Sequence, residues 1–171
     1  MEVGATVMEF RETLFARRSI RKYKPDPISD EQIRFLMEAA MCCPSGMNLR
    51  PYRFIVIRDQ AMLEKVKSYC PYGKYNSPAV IFVIGDTKRS PHMWGNDCGA
   101  ATENILLAAT DLGLGTVWCA MYPFADRNEP VKRLLGIGEG EEIYSMIHVG
   151  YPDEERPSRG IYEESKVQII G

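Results

Sequence analysis

Apolar positions recur along the chain with two different periods, and each period predicts a different kind of element. Spacing of three and four residues predicts helices over 6–17, 30–43, 61–69, 96–113 and 130–136. Short runs rich in β-branched residues predict strands over 54–59, 79–86, 116–121 and 143–149. The first two strands are apolar nearly throughout, which is typical of strands that are buried on both faces.

Local signals set several of these boundaries. Ser29 and Gln32 form a capping box for the second helix, which we expect to end before Pro44. Pro130 is expected at the first position of the last helix, and Gly136 is expected to end it. After residue 150 the chain has no core-facing period until Val167, Ile169 and Ile170, so this tail is expected either to reach over another subunit or to dock on its own chain.

Length and composition indicate a single globular domain over residues 1–171, with 45% hydrophobic and 26% charged residues. A net charge of -2 gives no reason to expect a nucleic-acid partner. The apolar runs fall short of the roughly 20 residues that a membrane span requires. We therefore expect neither nucleic acid nor membrane as a partner, and a cytoplasmic location.

Cysteine and histidine usage argues against a metal site. The five cysteines are an odd number without CxxC spacing, and the chain has only two histidines, His92 and His148. Neither a disulfide framework nor a zinc site is indicated, so we expect no bound metal and small, mostly buried thiols. The chain also lacks GxSxG and GxxxxGK[ST] motifs, and "GLGTVW" precedes a strand rather than a helix, so the chemistry is expected to need a bound cofactor.

A basic segment, "RRSIRKY" (17–23), stands out against the near-neutral charge of the whole chain. If the segment is extended, Arg17, Ser19 and Arg21 project to one side and present two guanidinium groups and a hydroxyl to one ligand. A phosphate with neighbouring hydroxyls fits that arrangement. A solvated basic turn is the alternative.

A second candidate is the loop in "CCPSGMNLRPYRF" (42–54). Polar side chains and free backbone groups on such a loop can form hydrogen bonds with the edge of a heterocycle. An ordinary turn is again the alternative.

Four motifs in order carry a resemblance over residues 10–168: "RRSIRKY", "PSGMNLRPYRF", "DCGAATENILLAATDLGLGTVW..MYP" and "VGYPDEE". Together they resemble the nitroreductase family of FMN-dependent oxidoreductases. The resemblance implies an α+β fold, with a mainly antiparallel sheet flanked by helices, and a homodimer formed through the long central helix.

The resemblance also implies a residue set for FMN. The phosphate and ribityl chain would be bound by Arg17, Arg18 and Ser19. Arg21 would lie by the N1/O2 edge of the flavin and stabilise the negative charge of the reduced ring, which makes it the catalytic residue. A loop of the neighbouring subunit would supply further contacts from Pro44, Ser45, Gly46 and Asn48.

Two later segments complete the implied site. Backbone groups from Val117 to Ala120, including Trp118, would run along the pyrimidine and N5 side of the ring, and Arg159 in the tail would reach the phosphate. Trp94 lies in a region that lines the substrate face in this family, with core packing as the alternative.

The implied reaction is a ping-pong transfer in which NADH or NADPH gives hydride to the flavin and a small acceptor, such as a nitroaromatic or a quinone, then removes it. Two alternatives stay open. The chain could be a flavin-binding carrier or sensor without significant turnover, or a specialised-metabolite reductase or dehydrogenase on the same scaffold.

Overall fold

The computed structural model describes residues 9–70 and 73–171. Five α-helices span these residues: α1 (Phe10–Ala16), α2 (Asp30–Met41), α3 (Gln60–Ser68), α4 (Trp94–Asp111) and α5 (Ala125–Leu135). The same residues contain four strands, the first of which follows α2: β1 (Tyr52–Ile57), β2 (Ala79–Asp86), β3 (Gly115–Ala120) and β4 (Glu141–Gly150). Within the described residues, no helix is long and apolar enough to cross a lipid bilayer.

The four strands form one sheet in the order β1-β2-β4-β3, with every pair antiparallel. This confirms the α+β class and the antiparallel sheet. The central strand β2 is buried along most of its length, as its unbroken apolar run predicts. The prediction of burial on both faces was wrong for β1, which is only half-buried because it lies at an edge of the sheet.

Helices cover both faces of the sheet. On one face, α2 and α4 pack against alternate strand residues such as Ile81 and Ile147. On the other, α3 and α5 cover Phe82 and Met146. Because successive strand residues point to opposite faces, one run of apolar residues contributes to both cores.

The predicted helices are present, with shifted ends. The capping box at Ser29 and Gln32 has both hydrogen bonds in place. The predicted first helix begins at residue 6, but residues 6–8 lie outside the described residues, and α1 is described from Phe10.

The placement of Pro130 at the start of a helix was wrong, because Pro130 lies inside α5, which begins at Ala125. Proline cannot donate the usual helical hydrogen bond, and its interior position costs stability. Tertiary packing offsets this cost. Val131 is fully buried, and the buried Asn128 side chain donates to the carbonyl of Ile143 at 2.9 Å.

The longest helix, α4, begins at Trp94 rather than at Asn96 or Asp97. The amide of Trp94 donates to the carbonyl of Ser90 at 3.0 Å, which extends the helix and places the indole against the backbone of Gly85. Trp94 is 9% exposed and packs edge-on against Tyr122 and Tyr144, so its packing is that of a core residue.

This packing generates a prediction for Gly85→Ala. An added Cβ would overlap Cε3 of Trp94 and lie 3.0 Å from Sγ of Cys98, so the indole would have to shift. We expect the free energy of unfolding to fall by about 1–3 kcal/mol, measured by urea denaturation. Gly138→Ala is the control, because an added Cβ there meets nothing within 4 Å. Equal stability of the two variants would contradict this account of the α4–β2 contact.

Candidate functional site

A cleft of about 170 Å³ lies where the basic segment meets the C-terminal tail, and we name it the arginine cleft. Six residues line it, and five of them are arginines: Arg17, Arg18, Ser19, Arg21, Arg156 and Arg159. Five of the six were predicted as cofactor contacts from the sequence. Arg156 was not predicted.

Main-chain pairing fixes the basic segment against the sheet. Ser19 forms a parallel bridge with Thr116 of β3, and the amide of Ile20 donates to the carbonyl of Thr116 at 2.8 Å. Ile20 and Tyr23 are buried and anchor the segment. The segment is extended as predicted, but strict alternation of side chains does not hold, because Arg18 lines the cleft as well.

The C-terminal tail pairs with the other end of the same segment. Lys24 donates its amide to the carbonyl of Tyr151 at 2.9 Å, and Asp153 donates to the carbonyl of Lys22 at 3.0 Å. Beyond this pairing the tail reaches α1, where the hydroxyl of Ser158 donates to the carbonyl of Phe15 at 2.9 Å.

Two further hydrogen bonds hold this part of the tail. The amide of Arg159 donates to the carbonyl of Phe15 at 3.3 Å, and the guanidinium of Arg18 donates to the carbonyl of Pro157. These contacts bring Arg156 and Arg159 opposite Arg17–Arg21.

Carboxylates compensate only part of the positive charge. Arg17 lies 3.5 Å from Glu103, and Arg156 lies 2.7 Å from Glu154. Within the described residues, no carboxylate lies within 4.0 Å of the side chains of the remaining arginines, which are Arg18, Arg21 and Arg159. Guanidinium groups held close together without counter-charges favour a bound anion, and several of them suit a phosphate.

The open edge of the sheet continues from this cleft along β3. In a strand, the N–H and C=O of alternate residues point to the same side. Because the carbonyl of Thr116 points away from β4 to accept from Ile20, the backbone groups of Trp118 and Ala120 also face the open edge. The carbonyl of Ala120 accepts from the guanidinium of Arg127 at 3.2 Å.

Val117 is placed differently from the other two predicted residues of β3. It pairs with His148 of β4, and its side chain is buried. By the alternation of the strand, its backbone groups face β4, so the structure does not bring Val117 to the open edge.

The positive charge of the Arg21 side chain acts on a residue of this strand. Burial raises the pKa of the Cys119 thiol to about 11, and the guanidinium groups of Arg21 and Arg127 oppose that rise. Arg21 therefore lies close enough to β3 to favour negative charge beside it.

The loop from Pro44 to Asn48 lies elsewhere in the chain, against the start of α4. The amide of Gly46 donates to the carboxylate of Asp97 at 3.0 Å. The hydroxyl of Ser45 accepts from the amide of Arg50 at 3.0 Å. The side-chain oxygen of Asn48 accepts from the guanidinium of Arg50 at 2.9 Å. None of these loop residues lines the arginine cleft of its own chain.

This loop has an unusual backbone. Met47, Asn48 and Arg50 all have positive φ, at 50°, 55° and 48°. Each such conformation of a residue other than glycine costs of the order of 1 kcal/mol and is often found at binding sites. The Met47 side chain is 89% exposed, so the loop presents an apolar group to its surroundings.

A buried Ser–His pair lies apart from the cleft and does not form a catalytic site. The hydroxyl of Ser77 lies 2.7 Å from Nδ1 of His148, but both residues are buried. Burial, reinforced by the nearby Lys67 charge, lowers the pKa of His148 to about 3. The imidazole is therefore neutral near pH 7, and its role is structural.

A larger cavity, of about 510 Å³, is separate from the arginine cleft. It lies between α2 and the edge strand β1 and is mostly apolar, lined by Met37, Met41, Arg50, Tyr52, Arg53, Phe54 and Val56. The volume of a cavity therefore does not identify the candidate site, because the smaller arginine cleft has the more strongly charged lining. Within the described residues, no group of three or more His, Cys, Asp or Glu side chains is placed to hold a metal ion.

The geometry thus defines an α+β protein with an arginine-lined cleft at an open sheet edge, and comparison with known proteins shows the family to which this fold belongs. The family model "Nitroreductase family" matches residues 14–73 and 69–151. A protein of Methanothermobacter thermautotrophicus named "Putative NADH dehydrogenase/NAD(P)H nitroreductase" is 40% identical over 166 residues, which cover 95% of this chain and 87% of that protein. The chain belongs to the nitroreductase family.

Solved structures show the same similarity. A protein of Parabacteroides distasonis with the same name has a TM-score of 0.90 and 36% identity, covering 95% of this chain and 98% of the other. An "FMN-dependent Nitroreductase" of Clostridium difficile has a TM-score of 0.88 and 27% identity, covering 94% of this chain and 99% of the other.

Proposed function

We propose that the protein is an FMN-dependent oxidoreductase that uses NADH or NADPH to reduce small acceptors such as nitroaromatics or quinones. The observation that carries the proposal is the arginine cleft at the open edge of β3. Family membership and the FMN-dependent relative support the same assignment. We treat residues 1–171 as a single FMN-binding domain.

The cleft suits the phosphate end of FMN. A phosphomonoester carries a charge of about -1.5 to -2 near pH 7. In the described part of the chain, three of the arginine side chains have no carboxylate within 4.0 Å. Arg18 and Arg159 would bind the phosphate side of the cofactor, together with Arg17, Arg156 and the hydroxyl of Ser19, whereas Arg21 would face the ring.

The edge of β3 suits the polar rim of a flavin. The backbone groups of Trp118 and Ala120 face the open side of the sheet, where they would donate to and accept from a heterocycle. Arg21 lies at the junction between the cleft and this edge. Its backbone amide donates to the carboxylate of Glu154 at 2.6 Å, which fixes the backbone of Arg21. Its side chain would stabilise negative charge on the ring.

When bound, FMN supplies hydride acceptance from the nicotinamide and hydride donation to the second substrate. The chain's own residues then have three tasks, which are to bind the phosphate, to orient the ring and to stabilise its negative charge. None of these tasks needs a side-chain nucleophile. This agrees with the buried, raised-pKa thiols of Cys70 and Cys98.

We further propose a homodimer in which each site is shared. The loop from Pro44 to Asn48 does not reach the cleft of its own chain, so it would serve the partner's cofactor. The exposed apolar side chains of α1 support an interface, since Phe10 is 72% exposed, and Leu14 and Phe15 are each 46% exposed. Nine of the 18 residues of α4 are already buried within the chain, so α1 would add to the interface that was expected from α4 alone.

The function is tested by anaerobic rapid mixing of the FMN-loaded protein with NADH or NADPH. We expect the visible absorbance of the oxidised flavin to bleach rapidly with one donor and to return when a quinone or nitroaromatic is added. Riboflavin, which lacks the phosphate, is expected to bind much more weakly than FMN.

Two outcomes would contradict the proposal. A protein that binds no FMN at micromolar concentration would disprove the cofactor assignment. A protein that binds FMN but is not reduced by either donor would instead be a carrier or sensor.

Arg21→Ala tests the electrostatic role. Removal of the cation favours the neutral oxidised ring, so we expect the two-electron midpoint potential to fall by at most about 30–60 mV, the equivalent of a charge-assisted hydrogen bond of roughly 1.5–3 kcal/mol. Spectroelectrochemical titration of flavin-saturated protein measures the shift. Lys24→Ala removes an exposed cation directly after the basic segment and should change the potential much less. An unchanged or more positive potential in Arg21→Ala would show that this side chain does not lie beside the ring.

The shared site predicts that FMN retention depends on the dimer. Asn48→Ala removes a side chain of the loop without altering the arginine cleft of the same chain. We expect weaker FMN binding, together with loss of flavin when the protein is diluted below the dimer dissociation constant. Analytical ultracentrifugation with flavin detection measures both. A monomer that retains FMN at full occupancy would rule out the shared site.

A further inference from the structure

The carboxylate of Glu154 lies immediately behind the arginine cleft. A negative charge is not expected next to a site that would bind an anion. Glu154 accepts hydrogen bonds through Oε1 from the backbone amides of Arg21, at 2.6 Å, and Lys22, at 3.3 Å. Its side chain is only 12% exposed. Two main-chain donors therefore fix the carboxylate at the back of the segment that carries the cleft.

The second oxygen of this carboxylate is committed to one cleft arginine. Oε2 of Glu154 accepts from Nε of Arg156 at 3.1 Å and from Nη2 at 2.7 Å. Arg156 is 44% exposed and lines the cleft, and no other carboxylate pairs with it within the described residues. The guanidinium is thus held through two of its nitrogens, while its remaining donors are free to bind a ligand.

Two effects of Glu154 on a bound anion oppose each other. Its charge alone repels an anion and weakens binding. Its hydrogen bonds immobilise a long, flexible arginine before the ligand arrives, which reduces the entropy lost on binding. The hydrogen bond from the backbone amide of Arg21 is the main reason that the pKa of Glu154 lies below its usual value. The Glu154 carboxylate therefore stays ionised near pH 7 and can hold Arg156.

We propose that Glu154 is a positioning residue for phosphate binding, which acts through Arg156 by holding its guanidinium in the arginine cleft. The proposal rests on the proposed function for the identity of the ligand, a flavin phosphate. Arg156 then acts as a phosphate contact that depends on this carboxylate, whereas Arg18 and Arg159 have no such partner.

Glu154→Gln is the direct test, because it changes one group and preserves the shape of the side chain. Its amide oxygen can still accept from the amides of Arg21 and Lys22, but its –NH₂ group cannot accept from Arg156. If positioning dominates, FMN binding weakens by about tenfold, as expected when a charge-assisted hydrogen bond loses its geometry. If charge repulsion dominates, FMN binding becomes tighter.

Glu155→Gln is the matched control. Glu155 is the next residue, is exposed and carries the same charge, but it makes no hydrogen bond or ion pair within the described residues. We expect its FMN affinity to equal or slightly exceed that of the wild type. Riboflavin supplies the second control, since a variant with a damaged fold would lose riboflavin and FMN binding alike. We expect riboflavin affinity to be unchanged in Glu154→Gln.

A double-mutant cycle tests the route through Arg156. Glu154→Gln should have less than about a twofold effect on FMN affinity when Arg156→Gln is already present, because the two residues then act as a unit. A full tenfold loss in that background would show that Glu154 does not act through Arg156. Tighter FMN binding in Glu154→Gln, or equal losses of FMN and riboflavin, would also overturn the proposal.

Inorganic pyrophosphate separates this proposal from the proposed function, because it probes the cleft without a flavin. Binding is measured by isothermal titration calorimetry with the wild type, Glu154→Gln and Glu155→Gln. Weaker pyrophosphate binding in Glu154→Gln alone supports the positioning role even if the protein binds no flavin. Equal binding by all three proteins, or no binding by the wild type, would overturn the positioning role whatever the flavin results are.

Discussion

Five guanidinium groups share one cleft of about 170 Å³, and their mutual repulsion is the constraint that shapes this end of the molecule. Main-chain hydrogen bonds of the segments that carry these arginines hold them together. Segment 17–24 is pinned to β3 at one end and to the tail at the other, so the arginine backbones are held by hydrogen bonds that do not involve their charged groups. Glu103 and Glu154 offset part of the charge. The remainder is available to an anion.

The sheet order explains why the cleft opens onto a surface that can hold a planar ring. Because β3 lies at an edge, it pairs with β4 on one side only, and alternate backbone groups along it face outward. The basic segment covers the beginning of this edge at Thr116, and Arg127 covers its end at Ala120. The stretch between them leads directly from the arginine cleft, so a single ligand with an anionic end and a polar ring can use both.

Much of this arrangement could be predicted from local patterns. The bounds of β2 follow from its apolar run, and the start of α2 follows from its capping box, because both signals are contained in a few neighbouring residues. Tertiary contacts account for the misses. Trp94 starts α4 early because its indole packs against Gly85, and α5 includes Pro130 because Asn128 and Val131 are buried. The position of Arg156 in the cleft could not be predicted from spacing. Its guanidinium is held by Glu154, which also accepts a hydrogen bond from Arg21, more than 130 residues away along the chain.

The central claim is that the arginine cleft holds the phosphate of FMN while the ring lies along the open edge of β3. A crystal structure of the protein with FMN tests this claim most directly. The account predicts phosphate density within hydrogen-bonding distance of Ser19, Arg18 and Arg159, and a ring edge facing the backbone of Trp118 and Ala120. Density for FMN in the apolar cavity beside β1, with the arginine cleft holding only solvent, would contradict it.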